Sequence, residues 1–383
     1  MTSLAPEEEV LFLCARLNLS PEEAGRLRVV VDGPLDGEAL LALARRHGLI
    51  GFLHRNLAGV ALPEGLEAEL SEAHRHNVHR ALRLSRELRR LAEALEARGI
   101  QSLAYKGPAQ AVQVYGDLAL RYFVDLDLLV LPADMPAAGR VLGECGYDPH
   151  LELTPGRETL FNRVDGDRAY LHRATGLLVE LHARVSSLRF AMPVETEALF
   201  GGAAEIRVGG GEVRAPGPDD LLMVLCIHGA KHRWKRLEWL VAVAELARSG
   251  RADPARCLER SAALGARRTV LLGFALARRL LGLPLPPALA AAAGREPGLE
   301  ALCDEAEARL RGPEPEEETA ANLRFNLAAR DSRGDQLLYA WRWATIPGPE
   351  DWAWLSLPDR LLVAYRVVRP LRLLMRYLPH RPR

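Results

Sequence analysis

Lysine is almost missing from this chain. Of the fifty basic residues among 383, only Lys106, Lys231 and Lys235 are lysine, so arginine carries nearly all the positive charge. The three survivors fall inside the two most polar, motif-like stretches of the chain. Net charge is also lacking, because fifty acidic residues balance the fifty basic ones. Without a protein-wide basic field there is no general attraction for nucleic acid, and any such contact has to be local. Cysteine is sparse. Cys14, Cys145, Cys226, Cys257 and Cys303 are scattered, odd in number and never in CxxC spacing, which argues against a disulfide framework or a cysteine zinc site and for a reducing, cytoplasmic compartment. No uninterrupted apolar run reaches membrane-spanning length. The opening MTSLAPEEEVLFLCARL is acidic before its apolar part and lacks the basic start of a secretory signal.

What the chain does have is core-forming material. With 49% hydrophobic residues over this length, global disorder is excluded and two or three domains are expected. Residues 1–99 read as helices. Ser20 before Pro21-Glu22-Glu23 is a capped helix start, GEALLALARRHG has helical apolar spacing, and Ala81, Leu84, Leu88, Leu91 and Leu95 form one stripe, closed by Gly99 as a C-cap glycine. His74, His76 and His79 do not share a helix face and read as a polar helix surface rather than a metal site.

From Ile100 the pattern changes. Ile100–Tyr105 is a strand candidate, and Lys106-Gly107 turns into a helix with Pro108 at its first position, where a missing N–H costs nothing. A glycine at such a turn lets a phosphate approach the helix N-terminus, and Lys106 adds a point charge. Val124–Val130 reads as a second strand with Val124, Leu126 and Leu128 facing the core and Asp125 and Asp127 facing out. Residues i and i+2 of a strand share a face, so the two carboxylates lie roughly 7 Å apart. Asp134 caps a following helix that stops at Gly146. Ala169–His172 and Leu177–His182 form a hairpin about Arg173–Gly176, with Glu180 opposite the apolar set. If this strand neighbours the one holding Asp125 and Asp127, three carboxylates converge. Ile206–Arg214 is another hairpin. Beyond Pro218 the chain is helical again, with LLMVLCIHGAKH and RLEWLVAVAELARSG, further helices over 254–311 and an acidic connection at Gly312–Glu318. The last stretch carries seven arginines from Arg360 to Arg383 and reads as a docked helix with a solvated arginine face, a local site for weak membrane-surface or nucleic-acid contact.

Two carboxylates on one strand, a third on a neighbour and a Lys-Gly turn opening a helix suit metal-assisted transfer of a nucleotidyl group. Magnesium takes hard oxygen ligands and brings triphosphate oxygens with it; the third carboxylate orients or deprotonates an acceptor hydroxyl. His228 and His232 lie four apart as in half a zincin motif, but Gly229 stands where that motif needs glutamate. With Lys231, Arg233, Lys235 and Arg236 they read instead as the phosphate side of a cleft. His182 is placed to steady Glu180 or a metal-bound water.

The run LAYKG, YGD, LRYFVDLDLLV, LVELH and LCIHGAKHRWKRLEWL resembles the uncharacterised nucleotidyltransferase family of the DNA polymerase beta-like superfamily, from the N-terminal helices to about residue 285. The resemblance implies an α+β fold, a small mixed sheet with helices, flanked by helical regions at 1–99 and 218–383 around a core at 100–217. It implies catalytic, metal-holding carboxylates at Asp125, Asp127 and Glu180, with Lys106, Gly107, Arg121, Lys231 and Lys235 on the nucleotide. Magnesium, or manganese in its place, and an NTP such as ATP are implied, with a small molecule, a protein side chain or an RNA end as acceptor. The rival reading is a nucleotide sensor or scaffold without turnover. A kinase-like phosphotransferase is the third.

Overall fold

The computed structural model describes residues 4–192, 194–313 and 319–377. Five helices come first: α1 (Pro6–Cys14), α2 (Pro21–Val31), α3 (Gly37–His47), α4 (Ile50–Asn56) and α5 (Leu66–Glu96). Their limits follow local chemistry. Ser20 and Glu23 form the reciprocal capping box of α2, Asp36 caps α3, and Gly48 ends α3 in the left-handed conformation. Gly99 also has positive φ, yet α5 itself ends at Glu96, and Gly99 lies in the turn where the Ile100 N–H bonds back to the Leu95 carbonyl.

A five-stranded mixed sheet follows, in the order β1 (Ser102–Ala104), β2 (Asp125–Val130), β5 (Leu178–His182), β4 (Asp167–His172), β3 (Tyr147–Pro149). Only β2 and β5 run parallel; every other pair is antiparallel. Helices α6 (Gly107–Tyr115), α7 (Met135–Glu144), α8 (Pro155–Val164) and α9 (Thr196–Gly201) fill the connections, and β6 (Ala204–Val208) and β7 (Gly211–Ala215) form a separate hairpin. Ten α-helices follow among the described residues: α10 (Pro218–Lys231), α11 (Leu237–Arg248), α12 (Pro254–Ala263), α13 (Arg267–Leu281), α14 (Pro287–Arg295), α15 (Leu299–Arg311), α16 (Thr319–Ala328), α17 (Arg333–Thr345), α18 (Pro349–Trp354) and α19 (Tyr365–Tyr377). The α+β class is as expected, and no helix among the described residues is long and apolar enough to cross a membrane.

Several local expectations change. β2 begins at Asp125, and Val124 is 51% exposed rather than in the core, because the chain is still entering the sheet there. Asp127 does not face open solvent: it is 4% exposed, covered by Lys106 at the N-cap of α6 and by His182 of β5. Pro108 is the second residue of α6, not the first. Asp134 precedes α7 but makes no side-chain cap, since a 3-10 turn over Pro132–Asp134 leads in. β3 was not expected at all. The acidic connection at Gly312–Glu318 falls outside the described residues from 314 onward.

Two apolar cores meet along α5. Its first half, with Leu66 and Leu70, joins a core that unites α1–α4 with α10, α11, α13 and α15. Its second half, the Ala81–Leu95 stripe, packs on the sheet with Leu126, Leu128, Val179 and Leu181. Thus the N-terminal and C-terminal helices share one core, and the sheet is held against both by a single 31-residue helix.

His47 lies inside that shared core. Its Nδ1 accepts the Leu237 N–H at the start of α11, and burial, with Arg46 and Arg236 nearby, lowers its pKa to about 4. The free imidazole titrates near ~6.5, so between these values the unfolded chain binds the extra proton. Stability from this group is complete above about pH 6.5 and declines as pH falls, by about 2 kcal/mol at pH 5. Urea midpoints at pH 8 and pH 5 measure this; His47→Gln should flatten the acid limb relative to the wild type.

Candidate active site

The pairing of β2 with β5 sets the site. In parallel register Asp127 lies opposite Glu180, Asp125 opposite Leu178 and Leu129 opposite His182. Since alternate residues share a face, Asp125 and Asp127 are brought to the same side as Glu180 and His182. Lys106 enters from the end of β1, at the N-cap of α6, and its Nζ sits 2.7 Å from Asp127 Oδ1. Gly107 takes φ of +53° directly afterwards, in the left-handed region, with the Asp125 carbonyl 3.4 Å from where a Cβ would stand.

His182 is the residue the sequence reading underrated. Its Nε2 is 3.1 Å from Asp127 Oδ1 and 3.3 Å from Glu180 Oε2, and its ring stands edge-on to buried Tyr105. Donor atoms of Asp127, Glu180 and His182 all lie within 4.8 Å of one another, the grouping among the described residues able to hold a metal ion. The signal was present, because His182 shares the parity of Glu180 in the strand.

Charge in this cluster is tightly coupled. Burial works to raise the Asp127 carboxyl, but Lys106 and His182 outweigh it and hold the group well below the usual carboxylate range. Glu180 is lowered chiefly by its hydrogen bond to His182. Burial would depress Lys106 and His182, yet the carboxylates they face hold both above their ordinary values. Asp125 goes the other way: burial raises it, and the charges of Asp127 and Glu180 raise it further. One ammonium and one imidazole thus face three carboxylates, a donor set with the charge to hold a cation.

Arg121 lies beside this cluster, close enough for its charge to act on Asp125. Its guanidinium pairs with Glu238 near the start of α11, Nε to Oε1 2.7 Å, with both side chains buried. Lys231, at the end of α10, is half-buried and lowered in pKa by burial, with Asp167, Lys106 and Glu180 within electrostatic reach. Lys235 is half-buried in the loop after it.

His228 and His232 come together, but over an aromatic ring. Their ring centroids are 4.7 Å apart, and both contact Trp239. Burial holds both imidazoles well below their ordinary pKa, so they are neutral at pH 7. Gly229 has a packing reason. The Trp234 ring lies against it, and a Cβ there would be 2.3 Å from the ring. Arg233 and Trp234 both adopt positive φ, which turns the chain so that Trp234 is buried under α10 while Lys231 and Lys235 are only half-buried. Gly229→Ala should therefore destabilise the protein by about 2–3 kcal/mol in urea titrations. A shift below about 0.5 kcal/mol would show that the ring is free to move. Of the earlier histidines, His74 stacks on His54 at 4.0 Å, while His76 and His79 are exposed; none joins a metal-holding group.

A small mixed sheet presenting paired acidic residues from two parallel neighbours, with a lysine at the adjoining helix start, defines a nucleotidyltransferase core. The chain belongs to the uncharacterised nucleotidyltransferase family, whose model matches residues 33–282. Searches of curated proteins and of solved structures each found no match.

Proposed function

We propose that the protein transfers a nucleoside monophosphate from an NTP to an acceptor hydroxyl in a divalent-dependent reaction, releasing pyrophosphate. The observation that carries this reading is the register that sets Asp127 against Glu180, with His182 and Lys106 closing on the same carboxylate. The donor set fits the metal: carboxylate oxygens suit magnesium, and an imidazole beside them suits manganese equally. Asp125, Asp127 and Glu180, with His182 beside them, would hold it, and when bound it would neutralise charge developing on the phosphoryl oxygens.

The chain's own groups have distinct parts. Glu180 is the more exposed of the two carboxylates touching His182 and is ionised, so it can accept the acceptor's proton as the new P–O bond forms and the bond to the β-phosphate breaks. His182 fixes both carboxylates. Lys106, Lys231 and Lys235 supply positive charge on the triphosphate side, and Gly107 leaves the start of α6 open to phosphate. Arg121 acts indirectly, holding the segment before β2 through Glu238. The three-part division at 1–99, 100–217 and 218–383, and a cytoplasmic location consistent with five free cysteines, belong to the same reading.

The test is incubation with α-phosphate-labelled NTPs, magnesium or manganese, and fractionated small molecules, protein and RNA. Label joined to an acceptor with pyrophosphate released supports the proposal. Release of ADP without transfer of label marks a kinase. Thermal stabilisation by NTP with no product in any fraction marks a sensor.

A further inference from the structure

The C-terminal helix is inside out relative to the sequence expectation. Arg369 is buried and Arg372 half-buried, and both pair with Asp351 of α18, which is itself fully buried. Tyr365 and Leu373 are buried on the same side, whereas Val363, in the 3-10 turn over Asp359–Ala364 that leads into α19, and three apolar residues of α19 itself point the other way. Val363, Val367, Leu371 and Leu374 are 71, 65, 47 and 61% exposed, and at spacings of four, four and three they form one stripe. Met375 is exposed beside it. The neighbouring α17 packs against α19 and exposes Leu337, Leu338 and Trp341; Trp354 and Leu355 at the end of α18 are exposed as well. Elsewhere the described surface shows only scattered large apolar side chains, which need no explanation.

We propose that this C-terminal face lies on the surface of a bilayer carrying anionic phospholipid. An exposed stripe on a short helix, flanked by arginine and aromatic residues, is the pattern of a segment that rests in the interface without spanning it. The charge is complementary. From residue 360 onward the sequence has seven arginines and no acid, and Arg360 and Arg366 are exposed beside the stripe. Of the nearby acids, Asp351 is neutralised by Arg369 and Arg372, while Asp359, hydrogen-bonded to Thr154 and the Gly156 N–H, and exposed Glu350 keep their charge and are outnumbered by the arginines. Basic residues near an anionic leaflet each add to binding, and together with an apolar stripe they give the two signals that stable attachment needs. A second copy of this chain fits less well, since a two-fold contact would set Arg360 and Arg366 against their own equivalents. The face also lies beyond the residues that match the family model, which end at 282.

Flotation of the full chain with vesicles tests this, using phosphatidylcholine alone and phosphatidylcholine with phosphatidylglycerol. Binding is expected on the anionic vesicles, weakening as salt rises. The triple variant Val367→Glu, Leu371→Glu, Leu374→Glu should lower it at least about tenfold, with an unchanged melting profile because these positions are exposed. Arg360→Glu with Arg366→Glu should reduce binding to anionic vesicles selectively. Three results would overturn the proposal: no flotation on anionic vesicles, equal flotation of the triple variant, or a dimer in light scattering that the triple variant disperses. RNA binding lost only in the arginine variant, without lipid binding, would overturn it too.

Discussion

Asp127→Asn lowers nucleotidyl transfer by about a thousandfold or more, equivalent to about 4 kcal/mol of transition-state stabilisation. The substitution removes the one carboxylate that Lys106 and His182 both touch. It also has a structural cost, because it leaves the Lys106 ammonium without its partner in a half-buried position, and breaking a buried pair costs about 3–5 kcal/mol at the upper end. The two effects separate in a double variant. Asp127→Asn with Lys106→Met should recover most of the lost stability in urea while transfer stays absent. Label transfer from α-phosphate and unfolding midpoints are the two measurements. Transfer within tenfold of wild type for Asp127→Asn would remove Asp127 from the chemistry.

Glu238→Ala destabilises the protein by about 3–5 kcal/mol, since it removes the ion-pair partner of the buried Arg121 guanidinium. Arg121→Met alone has a cost of the same kind, leaving Glu238, which burial already pushes above its ordinary pKa, without its counter-charge. Combined, Arg121→Met and Glu238→Leu should be far less harmful than either alone, and a double-mutant cycle in urea reports the coupling. The same set decides what Arg121 does. If it only positions the segment before β2, NTP affinity returns with stability in the double variant. If it touches phosphate, affinity stays low although the fold is restored.

How much of this was legible depended on distance along the chain. The Asp-Leu-Asp-Leu alternation of β2 and the Glu180–His182 parity of β5 have period two, so their faces can be read locally. The hairpin joining β4 to β5 was equally plain from Arg173–Gly176. That β2 and β5 are neighbours is not local, because α7, β3, α8 and β4 intervene, and only the resemblance pointed to convergence. Asp127 was taken as outward-facing because alternation tells which side a residue takes, not what covers that side. Tyr147–Pro149 escaped because a three-residue strand with an aspartate and a proline has no strand signature. The pairing of Arg121 with Glu238 is illegible in the sequence because Glu238 comes from a helix far along the chain. For α19, the periodicity revealed two faces, and the usual rule assigned the arginines to water. Asp351, on another helix, reverses that choice for Arg369 and Arg372, while Arg366 stays exposed.

Lys106 has a further consequence for how the protein behaves in the cell. A cluster that supplies its own counter-ion does not need divalent cation in order to fold. Dialysis against a chelator should therefore leave the thermal midpoint within about 1 °C of that in magnesium alone, a shift corresponding to under about 1 kcal/mol for a chain of this length, while stopping transfer. A drop of 5 °C or more, roughly 4 kcal/mol for a chain of this length, would show that the metal is part of the fold. On the expected outcome, supply of metal regulates activity and leaves abundance alone: starved of divalents, the protein persists intact and idle, ready to resume when they return.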